Sequence, residues 1–86
     1  MLIMAEGTIH HRLSSEERQA VLAWLGPMVD EGFMINGYLS GAADRLWMVV
    51  SAETRAAAIQ RMADLPMVQD GSVTFVTTLV TAMRFR

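Results

Sequence analysis

The chain has no cysteine and no lysine among its 86 residues, only two prolines, and 7% aromatic residues. Without cysteine there are no disulfides, thiolate nucleophiles, iron–sulfur clusters or cysteine-ligated zinc. That fits a reducing compartment, and the expected location is cytoplasmic. The seven basic residues are all arginine and lie scattered, the net charge is −2 and the pI about 5.5. No basic stripe exists to neutralise phosphates, which argues against nucleic acid as a partner. The longest uncharged run, residues 71–83, is threonine-rich and too short to span a membrane as a helix, so no membrane partner is expected. The start Met-Leu-Ile-Met-Ala-Glu has no basic region before an apolar run, so no signal peptide is expected. Gly32, Gly37 and Gly41 do not spell a phosphate-cradling loop, and there is no Gly-x-Ser-x-Gly elbow.

What is present is an excess of apolar residues, 52% without glycine. Residues 1–86 make a single domain, and a domain of this size is marginal alone. The segment 72–83 shows where the excess goes. Val73, Phe75, Thr77, Leu79, Thr81 and Met83 point one way; Thr74, Val76, Thr78, Val80 and Ala82 point the other. A strand covered on one side alternates apolar with charged residues, and this one carries no charge before Arg84. Helices from the same chain can cover one face. The second face is expected to meet another copy.

The remaining elements follow from periodicity. Residues 1–9 read as a first strand, with Gly7 marking a bulge or a close backbone approach. Ser14 and Glu17 have capping-box spacing. A helix then runs through Val21, Trp24, Leu25 and Met28, with a kink or short second piece expected at Gly26-Pro27 and a C-cap at Gly32. Residues 33–40 and 45–51 read as a hairpin across the turn 41–44. Residues 53–65 read as a second helix, with Ala58, Met62 and Leu65 on its buried stripe, Arg55 and Arg61 in water, and Pro66 ending it. Residues 67–71 read as a loop before the last strand.

The order β-α-β-β-α-β is the α+β, ferredoxin-like pattern: a four-stranded antiparallel sheet with two helices on one face. Two bare faces packed together would make a dimeric α+β barrel. The chain also resembles the muconolactone isomerase family. The resemblance rests on Glu31-Gly32, on Leu65-Pro66 followed by a short loop, on Val76-Thr77-Thr78-Leu79, and on the Met1-Leu2-Ile3 start. It covers nearly the whole chain and is strongest over residues 31–79. It implies a dimeric barrel, sometimes in larger rings, and a cofactor-free isomerase that moves a proton within an unsaturated lactone. The shared motifs are structural and transfer no catalytic residue.

An allylic proton shift needs a base and donors for charge developing on oxygen. Glu6, mid-strand among apolar neighbours, is one candidate base; the alternative is an exposed or arginine-paired carboxylate. His10 and His11 are the others, on opposite sides of an extended segment, or plain loop residues. No third histidine accompanies them, so no metal is expected. Tyr38 and Asn36 share a strand face and are candidate donors. Arg45 is a candidate clamp for a substrate carboxylate, or a solvated turn residue; Arg12 and Arg84 are similar cases. Trp24 and Trp47 are candidate pocket walls, and the eight methionines are core filler or an adaptable lining. Three functions stay open: the isomerase on a small ligand, a non-catalytic ligand-binding or assembly module, and a cofactor-free monooxygenase of the same barrel superfamily.

Overall fold

The computed structural model describes residues 1–81 and 83. Strand β1 spans Leu2–Ile9, helix α1 Ser15–Asp30, β2 Met34–Leu39, β3 Arg45–Ser51, α2 Arg55–Ala63, α3 Pro66–Gln69 and β4 Val73–Val80. The strands form one antiparallel sheet in the order β2-β3-β1-β4, the ferredoxin-like layout expected from the sequence.

One sheet face carries the core. Ile3, Ala5 and Ile9 of β1, Leu46, Met48 and Val50 of β3, and Val73 of β4 are buried there. They meet Leu25 and Met28 of α1 and Ala58 and Met62 of α2. Burying a side chain such as Ile3 or Met48 completely is worth about 1.5–3 kcal/mol, so these positions decide which face the helices take. Leu13 and Leu65, in the connections, close the same cluster. Met28, Met48, Met62 and Met67 act as core filler, while Met1 is exposed.

Local chemistry sets the helix ends. The Ser14 hydroxyl accepts from the Glu17 backbone N–H, and the Glu17 carboxylate accepts from the Ser14 N–H, a complete capping box. At the other end Gly32 has φ 77°, and Gly32 and Phe33 donate to Val29 and Met28. That is a Schellman ending, which favours glycine at the left-handed position.

Four details sharpen or correct the sequence reading. Helix α1 passes through Gly26-Pro27 as one helix instead of splitting. Ala23 and Pro27 lie on its exposed side, where water can serve the carbonyl that the proline leaves without a donor. Residues 66–69, expected as a helix stop and loop, form the single turn α3, with Pro66 at its first position, where a missing N–H costs nothing. Gly7 marks a close approach and no bulge: it pairs regularly, and a Cβ there would lie 2.8 Å from Phe75 Cε1. The bulge lies in β2, between Met34 and Asn36.

The arginines of α2 are also more engaged than expected. Arg55 donates to the hydroxyl and carbonyl of Thr77 on β4. Arg61 grips both carboxylate oxygens of Glu31, at 3.1 and 2.8 Å, and tethers α2 to the end of α1.

The helix-free face is the second face the sequence anticipates. Leu2, Met4, Trp47, Val49, Val76 and Val80 lie on it, and Val76 is 70% exposed in the single chain.

Candidate functional site

Five of the residues singled out in the sequence share the helix-free face. The register sets Tyr38 opposite Trp47, Trp47 opposite Glu6 and Glu6 opposite Val76, in one row across all four strands. Asn36 sits one row along, opposite Val49. Glu6 and Arg45 form an ion pair at 3.6 Å, and the Arg45 guanidinium lies 5.7 Å from the Trp47 ring centre. Glu6 is thus an exposed carboxylate paired with an arginine. This charged pair sits on a face that mixes Leu2, Met4, Val49, Val76 and Val80 with the uncharged polar residues Thr8, Asn36, Thr74 and Thr78.

The histidines are separated from this row. His10 Nε2 is hydrogen-bonded to Thr74 Oγ1 at 2.8 Å, and His11 Nε2 donates to Glu17 Oε2 at 3.0 Å. Neighbours in an extended segment diverge, so one binds β4 and the other α1. Both border a shallow polar depression shared with Arg12, Arg18 and Asp44. Among the described residues, no three His, Asp or Glu side chains gather as metal ligands would. Arg84 lies outside the described residues.

A more enclosed concavity lies elsewhere. A cleft of about 360 Å³ separates α1 from the β2–β3 hairpin. Arg18, Val21, Leu22, Leu25, Gly26 and Val29 form its helical wall. These positions recur at helical spacing, so they make one continuous stripe. Gly37, Leu39 and Leu46 lie on the sheet side. A Cβ on Gly26 would meet nothing within 4 Å, so that position borders open space, whereas one on Gly37 would lie 3.1 Å from Met34 Cε. Tyr38 borders the cleft as well as the helix-free face, since β2 is an edge strand. Neither Glu6, a histidine nor either tryptophan lines it; Trp24 packs half-buried against the core.

The sequence reading took α1 as having one buried stripe, through Val21, Trp24, Leu25 and Met28. Leu22 and Val29 exceed what that stripe needs and are 68% and 49% exposed. Two surplus aliphatic residues flanking Gly26 on one helix were the available signal for the cleft.

Two exposed carboxylates near the polar depression are perturbed. The His11 hydrogen bond, then the bond from the Ser14 backbone, holds the Glu17 carboxyl below the usual glutamate range. The Ser72 hydroxyl and backbone N–H hold Asp70 below the usual aspartate range. A carboxyl depressed in the folded state stabilises the fold above its unfolded pKa, and that support is lost as pH falls through the folded value. We therefore expect the melting temperature to fall as pH drops below about 4, with a shallower decline in Glu17→Gln. Thermal melts between neutral and strongly acidic pH check this.

Comparisons with protein-family models, with curated proteins and with solved structures find no match for this chain.

Proposed function

We propose that the chain is a self-pairing module that binds a small apolar molecule in the cleft between α1 and the sheet. The observation that carries this reading is the cleft itself. Its size falls within the range of about 300–1,000 Å³ common for small-molecule sites, and its walls are almost wholly apolar. Proton transfer needs a base within hydrogen-bond reach of the substrate. Glu6 lies on the opposite side of the sheet, so the cleft favours binding over isomerisation.

Pairing is proposed through the helix-free face, with a second copy as the occupant. The face is largely uncharged, and the Glu6–Arg45 pair, the ion pair found on it among the described residues, suits self-pairing: across a two-fold axis, the acid of each copy can meet the guanidinium of the other.

Gly26→Leu tests the cleft. The substitution fills the open space and improves helix propensity by roughly 0.5–1 kcal/mol. The expected result is a fold at least as stable as the parent, with binding of an apolar fluorescent dye reduced at least about tenfold. Undiminished dye binding in a folded variant removes the cleft from consideration.

A second reading, the muconolactone isomerase-like enzyme, has one observation in its favour. Glu6, Arg45, Trp47 and Tyr38 gather on the face that pairing would enclose. There Glu6 would be the base and Tyr38 or Arg45 the donor to oxygen. Deuterium exchange from heavy water into an unsaturated lactone, absent in Glu6→Gln, would favour this reading over the binding module.

A further inference from the structure

The apolar cleft opens beside a polar depression, and Arg18 and Ile9 border both. We propose that the cleft takes an amphiphile with an apolar body and a carboxylate head, and that Arg18 binds the head. This rests on the reading of the cleft as a ligand site and adds the ligand's chemical class.

Arg18 stands at the end of the aliphatic stripe formed by Leu22, Leu25 and Val29. A molecule lying along that stripe with its head toward residue 18 leaves the apolar wall where the wall turns polar. Arginine suits such a boundary. Its methylene stem can lie on apolar surface while its guanidinium stays hydrated, and its planar fork matches a carboxylate.

The charged and titratable groups around the depression are Arg12, Arg18, Asp44, His10 and His11, with Glu17 attached through His11. The acids are already occupied. Asp44 accepts from the Ser40 hydroxyl at 2.7 Å, and Glu17 accepts from His11 and from the Ser14 backbone. Among the described residues, neither Arg12 nor Arg18 forms an ion pair. Arg12 and Arg18 thus line a depression whose carboxylates already accept hydrogen bonds from Ser40, His11 and Ser14.

Size limits the body. At about 30 Å³ for each water-sized unit, the cleft admits roughly a dozen non-hydrogen atoms. Decanoate is of that size, and 1-decanol is its neutral counterpart. A purely apolar cleft would favour the alcohol, because an anion brought near apolar walls without a cation loses hydration. A cationic mouth reverses the order.

The test is calorimetric titration of the full chain with sodium decanoate and with 1-decanol, both below their aggregation limits. Decanoate is expected to bind roughly tenfold tighter at low salt, and the advantage should shrink in 0.5 M salt. Arg18→Gln should abolish the advantage, bringing decanoate down to the affinity of decanol for the same variant, and Arg18→Lys should keep part of it. Equal binding of both probes by the unmodified protein overturns the head-group assignment and leaves the cleft standing. So does a decanoate preference that survives Arg18→Gln. Binding of neither probe overturns the cleft and this inference with it. Should Arg18→Gln fail to fold, the probe and salt comparison on the unmodified protein decides.

Discussion

Gly7→Val is expected to lower the melting temperature by roughly 5–20 °C. Gly7 is buried mid-strand in β1, paired with Leu46 on one side and Phe75 on the other. An added Cβ would sit 2.8 Å from Phe75 Cε1, 3.1 Å from Cδ1 and 3.2 Å from Val73 Cγ1. The Phe75 ring occupies the space that the missing side chain leaves, a common way for an aromatic to cover a strand glycine. Alanine can be met by a shift of the ring. Valine adds two methyls and displaces the ring from the core, where overpacking costs about 1–3 kcal/mol. The better strand propensity of valine offsets only part of that. In so small a domain, each kcal/mol moves the midpoint by about 4–8 °C. A thermal melt followed by circular dichroism measures the loss, and adding Phe75→Leu should recover part of it. An unshifted midpoint would mean that the close approach has no energetic weight.

Val76→Asp is expected to weaken self-association by at least about a hundredfold while leaving the single chain folded. The position is largely exposed in one copy, so a carboxylate there buries no charge in the isolated chain, and its repulsion from Glu6 across the strand costs about 1 kcal/mol at most. The proposed pairing removes that exposure. The fold already sets the new carboxylate beside Glu6, its cross-strand neighbour on β1, so pairing would enclose two carboxylates where, among the described residues, Arg45 alone forms an ion pair with that row. Enclosing an unpaired charge costs several kcal/mol, far more than the pairing gains from one valine. Sedimentation velocity over a range of concentrations reads the shift, and unchanged circular dichroism shows that the fold survives. An unmodified protein that stays monomeric at every concentration would end the pairing proposal.

Much of the fold was legible because two periodicities dominate this chain. Period-two grouping in residues 2–9, 45–51 and 73–80 located three strands and sorted their residues into two faces, and the structure shows which of the two the helices cover. Capping chemistry at Ser14, Glu17 and Gly32 fixed both ends of α1. The misreadings share a cause: each turns on the surroundings and not on the local pattern. Pro27 breaks helices in general, but Leu25 and Met28, buried on either side of it, hold both halves of α1 to one core. Residues 66–69 are too short for a periodic signal, and the burial of Met67 is what gives that turn its place. The bulge in β2 has no signature in a strand whose residues are mostly exposed.

The candidate residues were less legible than the fold. Strand parity grouped Asn36 with Tyr38, and the register then brought Glu6, Arg45 and Trp47 to the same face. The cleft depends on a separation between helix and hairpin that no run of residues encodes. Only the surplus aliphatic residues around Gly26 hinted at it.

Both outer strands of the sheet are poor templates for further growth. The irregularity in β2 disturbs one rim, and Arg55 already occupies a main-chain acceptor of β4 at the other. Strand-by-strand addition, the route to ribbons and fibrils, is thereby discouraged at each margin. The proposed self-pairing is thereby steered toward contacts that close on themselves, so concentrating the protein should yield a finite particle before a filament.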